Sequence, residues 1–188
     1  MQENGFKCGN QASGELLMSA YANDVWNEII SFCDTAKFFQ DLPFSAPKTV
    51  NILSENFPEA KYILTIRESA EMWYNSITEF HKIKFGQEGN LPGKEDLQRA
   101  TYRYPGFAWV ANRALYDTPE SEPYLKSALI KTYEDHIANV KQLFSKSGNL
   151  LIIDISKPDA IQQLEKFLEI SSKLKTMPWL NKTSEAKK

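Results

Sequence analysis

The sequence predicts an α/β domain built on a parallel sheet, and three observations carry that reading. Tyr62-Ile63-Leu64-Thr65-Ile66 and Leu150-Leu151-Ile152-Ile153-Asp154-Ile155 are short, nearly continuous apolar and β-branched runs. Such runs mark strands buried on both faces, as in parallel sheets. Each is followed at once by a segment with helical spacing, and strands alternating with helices define the α/β class. The chain has 188 residues, 42% of them hydrophobic, enough for one core of ordinary size. A single domain over residues 1–183 is therefore expected, with a charged, disordered tail over 184–188.

The elements follow in order. From Glu15 to Cys33 the apolar residues Leu16, Leu17, Ala20, Tyr21, Val25, Trp26, Ile29 and Ile30 recur at three- and four-residue intervals, which predicts an amphipathic helix. Asn23 and Asp24 suit a break there, and either can cap the second half. Phe38-Phe39 leads through Asp41-Leu42-Pro43 into a turn, and a helix is expected over about 47–57, with Pro47 in its first turn. After the first strand, Ser69 suits a helix cap, and Met72, Trp73, Ser76, Ile77 and Phe80 share one face beyond it. Residues 85–93 read as a loop and residues 95–147 as a helical region. After the second strand, Pro158-Asp159 opens a helix from Ala160 to Leu168.

Charge excludes several function classes. The 22 basic and 24 acidic residues nearly cancel, so no overall field draws the protein to nucleic acid or to an anionic membrane, and any anion site must be local. Cys8 and Cys33 match no common zinc spacing and are too few for a disulfide framework, so no metal site is expected. A cytoplasmic location is the expectation: the first residues show no basic and apolar leader pattern, and no apolar run reaches membrane-spanning length.

The most informative segment runs from Phe57 to Ser76. Arg67 stands at the carboxyl end of a buried strand and just before a helix, where open α/β sheets place their ligands. Its guanidinium can grip a phosphate with two parallel hydrogen bonds, and a serine two turns into the helix can reach the same anion. The plain alternative is a surface ion pair between Arg67 and Glu68 or Glu71, with Ser76 merely packed.

This segment resembles the 3′-phosphate motif of the P-loop sulfotransferases, a strand, an arginine and, eight or nine residues on, a serine. The ending Trp73-Tyr74-Asn75-Ser76 resembles that of a small bacterial branch. Tyr133-Glu134-Asp135-His136, Asn149 to Ile155, and Leu164 to Leu168 resemble the family's late helix, last strand and closing helix, and Pro178-Trp179-Leu180-Asn181-Lys182 resembles its terminal element. The likeness spans about residues 5–183. It implies a three-layer fold with a mostly parallel central sheet and a donor, 3′-phosphoadenosine 5′-phosphosulfate (PAPS), whose 3′-phosphate Arg67 and Ser76 bind. It also implies sulfuryl transfer to a small-molecule or glycan hydroxyl.

One part of the family pattern does not occur in the sequence. The family opens with a strand and a Pro-Lys-(Ser/Thr)-Gly-Thr-Thr loop that holds the 5′-phosphosulfate at a helix N-terminus. Nothing of the kind precedes Gly5-Phe6-Lys7-Cys8, and Lys146-Ser147-Gly148 precedes a strand and opens no helix. The expectation is a chain lacking that strand and loop and inactive without them, with a non-catalytic nucleotide-binding relative as the alternative. A P-loop kinase fragment fits less well, because kinases have no such arginine and serine pair. For the base that takes the acceptor's proton, Asp41 in Gln40-Asp41-Leu42-Pro43 is the candidate, matching an Asp-x-Pro of the branch. The same residue also reads as a simple turn former before Pro43. His81 and His136 are further titratable candidates, and Phe107, Trp109 and Tyr116 are core or cleft wall.

Overall fold

The computed structural model describes residues 4–175 and 177. The terminal Pro178-Trp179-Leu180-Asn181-Lys182 element and the 184–188 tail expectation lie outside the described residues. Nine α-helices and two strands alternate in the described part: α1 (Gln11–Glu15), α2 (Met18–Ala22), α3 (Trp26–Phe32), α4 (Thr49–Asn56), β1 (Tyr62–Thr65), α5 (Ala70–Phe85), α6 (Lys94–Arg99), α7 (Phe107–Leu115), α8 (Lys126–Leu143), β2 (Leu150–Ile153) and α9 (Ala160–Leu168). The chain is a mixed helix-and-strand protein with a small parallel sheet.

β1 and β2 are parallel neighbours in the register Tyr62↔Leu150 to Thr65↔Ile153, as their shared composition predicts. Tyr62 N–H donates to Asn149 O and Ile66 N–H to Ile153 O. Backbone groups alternate sides along a strand, so those of Ile63 and Thr65 face the opposite edge. Among the described residues no strand pairs with that edge. The expected burial on both faces is therefore only partial: Ile153 is buried, Thr65 is exposed and the others lie between. Apolar composition alone could not show that one side of β1 opens onto a cavity.

The helical expectations hold with shifts that have local causes. The 15–33 region does break at Asp24, whose backbone is left-handed with φ 55°. Neither Asn23 nor Asp24 caps α3, however. The Asn23 amide donates back to Ser19 O, and the Asp24 carboxylate accepts from Lys48 Nζ at 2.7 Å. Pro47 lies in the turn ahead of α4 rather than in its first turn. Ser69 caps α5 as expected, its hydroxyl accepting from Met72 N–H at 3.1 Å. The face of α5 is rotated from the expected one: Met72 and Phe80 are exposed, Trp73 and Ile77 are half-buried, and Thr78 is buried. Gly86 ends α5 where a Cβ would lie 2.1 Å from Asn90 O, so any side chain there would force the turn apart. The 95–147 region divides into α6, α7 and α8 around Pro105, Pro119 and Pro123, and Gly106 takes the φ of 87° that starts α7.

The main core packs Met18, Tyr21, Ile29 and Phe107 between α2, α3 and α7, while Leu97, Tyr116, Tyr124 and Leu129 form a second cluster. Burial pushes the Cys33 thiol up to about 11, which leaves it a protonated packing residue near neutral pH. Both cysteines are free. No helix among the described residues is long and apolar enough to cross a membrane.

Candidate functional site

The site is built from the carboxyl end of β1. There the Arg67 backbone N–H donates to Tyr133 Oη at 2.9 Å, and the Tyr133 ring stacks on Trp73 with centroids 4.7 Å apart and planes 15° apart. One aromatic pair, from α8 and α5, thus holds the strand end at the point where Arg67 begins. Neither residue carries this role in the sequence reading, where Trp73 is one of a helix face and of the Trp73-Tyr74-Asn75-Ser76 ending and Tyr133 is part of a longer motif. The signal that could have found them is their shared position as aromatic residues on the two helices that flank the strands.

Arg67 is half-exposed, and no ion pair engages it among the described residues. The two acids that would occupy it in the plain reading are taken by lysines, Glu68 with Lys157 at 3.7 Å and Glu71 with Lys126 at 2.6 Å. The surface ion pair offered as the alternative does not form. The Asp154 carboxylate, just beyond β2, feels the Arg67 charge but forms no ion pair with it, so the guanidinium keeps donors for an anionic ligand. Ser76 is half-buried on α5, two turns beyond the Ser69 cap.

Asp41 lies across a large cavity of about 1350 Å³ whose wall also includes β1, Trp73, His81 and His136. Its backbone is left-handed, φ 65°, just before a cis Leu42–Pro43 bond. Few non-glycine residues adopt that conformation, and Asp is among those that do. The turn reading of Asp41 is thus correct as to backbone, and the side chain is free to do something else. The carboxylate accepts from Gln11 Nε2 at 2.8 Å, and the same nitrogen donates to Glu15 Oε1 at 2.9 Å. Glu15 is buried and paired with Arg103, which also donates to Tyr102 Oη at 3.1 Å. Loss of hydration, and then the nearby Glu15 charge, raise the Asp41 pKa above the usual carboxylate value, while the Leu42 N–H and Arg103 pull the other way. A base with a raised pKa accepts protons more readily near neutrality.

The histidines separate. His81 Nδ1 lies 2.8 Å from Tyr124 Oη inside a ring of aromatic residues, and burial lowers its pKa to about 4. It is a neutral structural link at neutral pH. His136 also has its pKa lowered by burial, and its Nδ1 is buried without a hydrogen-bond partner among the described residues. Phe107 and Tyr116 belong to the core and also line the cavity, whereas Trp109 is away from it, under Arg113.

A stability test follows from His81. Its folded pKa lies below the usual 6.5, so between those values the unfolded chain binds more protons. The stability tied to neutral His81 is full above about pH 6.5 and is lost as pH falls toward about 4, roughly 3 kcal/mol over the window. Urea unfolding at pH 7 and pH 4.5 should show His81→Gln losing much less stability on acidification than the parent chain. Equal losses would show that His81 is not held neutral.

These features define a mixed helix-and-strand protein with an arginine at a strand's carboxyl end that forms no ion pair among the described residues, and with Asp41 on the wall of a cavity whose lining includes neither Arg67 nor Ser76. The family model for the sulfotransferase domain matches residues 9–186, and the chain belongs to that family. No curated protein and no solved structure matches it.

Proposed function

We propose that the chain is a sulfotransferase domain for moving a sulfuryl group from PAPS to the hydroxyl of a small-molecule or glycan acceptor, inactive without the strand and loop that hold the 5′-phosphosulfate. In this reading one domain over residues 1–183 adopts the three-layer, mostly parallel P-loop arrangement of the family. The observation that carries the donor assignment is the Arg67 guanidinium, which forms no ion pair among the described residues, with Glu68 and Glu71 engaged by lysines. Arg67 and Ser76 hold the 3′-phosphate, Arg67 by paired charge-assisted bonds and Ser76 by its hydroxyl. PAPS supplies the sulfuryl group and, as leaving group, the 5′-phosphate. Asp41 takes the proton of the acceptor hydroxyl as its oxygen attacks sulfur. The two free cysteines fit a reducing cytoplasmic setting.

Ser76 gives a graded test. Ser76→Ala removes one hydrogen bond to a charged group, about 1.5 kcal/mol or roughly tenfold in affinity for 3′-phosphoadenosine 5′-phosphate. Its affinity for adenosine 5′-phosphate should not change. An equal loss for both nucleotides, measured by calorimetry, would place Ser76 away from the 3′-phosphate.

A further inference from the structure

The carboxylate cluster on the cavity wall contains a residue that the family resemblance does not single out. Gln11 stands on α1, exposed, and its one amide nitrogen reaches two acids at once, Glu15 Oε1 at 2.9 Å and Asp41 Oδ2 at 2.8 Å. Ionised carboxylates only accept hydrogen bonds, so the amide can present only its NH2 group to this pair. Its two N–H bonds are both spent, one on each acid. Arg103 pairs with Glu15 and reaches Asp41 only through its charge, so the hydrogen bond that holds the Asp41 carboxylate comes from a neutral donor.

We propose that Gln11 is the positioning residue for Asp41: its amide ties the Asp41 carboxylate to the Glu15–Arg103 pair and fixes it on the cavity wall as an ionised proton acceptor. The inference rests on the reading of Asp41 as the base. A carboxylate offers about four acceptor positions. Gln11 takes one, which leaves the others for an acceptor hydroxyl. The groups facing Asp41 are Glu15 and Gln11 from α1, Arg103 and Tyr102 from the segment between α6 and α7, and the Leu42 N–H. Lys84 of α5 lies beyond them, over the Tyr102 ring at 5.0 Å. Among these, only Gln11 contacts both acids.

The test is the titration of Asp41, followed by carboxyl carbon NMR on the 188-residue chain, with Asp41→Asn used to assign the signal. Gln11→Leu removes a hydrogen bond that favours the charged form, so the Asp41 pKa should rise by about one unit. Gln11→Asn, too short to span both acids, should give a similar rise. Glu15→Gln removes the like charge and should move the Asp41 pKa down. Because Gln11 is exposed, its variants should keep the parent melting temperature, and 3′-phosphoadenosine 5′-phosphate should bind as before. An Asp41 pKa unchanged in both Gln11 variants would overturn the proposal. The base reading fails separately: if Gln11→Leu shifts Asp41 as expected but Asp41→Asn leaves sulfate transfer intact in the chain joined to a phosphosulfate-binding strand and loop, the contact is real and Asp41 is not the base.

Discussion

Arg67→Ala is expected to weaken binding of 3′-phosphoadenosine 5′-phosphate by at least about 2 kcal/mol, some thirtyfold, with up to about 5 kcal/mol if the bound pair is fully desolvated. The lower end is favoured because Arg67 is half-exposed in the free protein, where water screens the charge. Arg67→Lys should recover only part of the loss, since an ammonium keeps the charge but gives up the paired planar contact. Folding should be little affected. The strand end is fixed through the Arg67 backbone N–H by Tyr133, not through the guanidinium, so the alanine variant retains the contact that shapes the site. Calorimetry and a thermal melt on the same samples separate the two effects. A large fall in melting temperature with unchanged affinity would make Arg67 a structural residue.

The 188-residue chain alone is expected to show no measurable sulfate transfer, while the same chain joined to a strand and Pro-Lys-x-Gly-Thr-Thr loop at its amino end should turn over. Charge developing on the 5′-phosphate leaving group needs aimed donors, and losing even one donor of such a set typically costs about 10²- to 10³-fold. No residue described around the cavity replaces the whole set. The cavity has features suited to an added strand. The backbone of Ile63 and Thr65 faces an edge with no paired strand, and His136 Nδ1 is buried without a partner among the described residues. In the extended form, Asp41→Asn should lower kcat by about 10²- to 10⁴-fold, the usual contribution of a positioned base. The assay follows labelled sulfate from PAPS to a panel of hydroxyl acceptors, with both forms run side by side. Robust transfer by the 188-residue chain would mean that another segment or a partner supplies the phosphosulfate site.

Much of this was legible in the sequence because it depends on local pattern. The β1 and β2 runs pair as their composition required, Ser69 caps α5 at the position its side chain suits, and α9 spans the stretch that follows Pro158-Asp159. The position of Arg67 after a strand followed from the same local order. What stayed hidden was set by residues far apart in the chain. Gln11 and Asp41 are 30 residues apart, Glu15 and Arg103 are 88 apart, and Arg67 and Tyr133 are 66 apart. No periodicity brings such pairs together. Nor can spacing show that Glu68 and Glu71 turn to lysines instead of Arg67, because Lys157 and Lys126 arrive from later elements. The rotated face of α5 has the same origin. Trp73 is drawn in by Tyr133 across α8, and Met72 is left to solvent.

The most direct test of the central claim compares two nucleotides on the unaltered chain. Isothermal calorimetry with 3′-phosphoadenosine 5′-phosphate and with adenosine 5′-phosphate isolates the 3′-phosphate, which Arg67 and Ser76 are proposed to hold. The account predicts that the first binds at least about thirtyfold more tightly, roughly 2 kcal/mol, and that Arg67→Ala erases most of the difference. Equal affinities for the two nucleotides would contradict it.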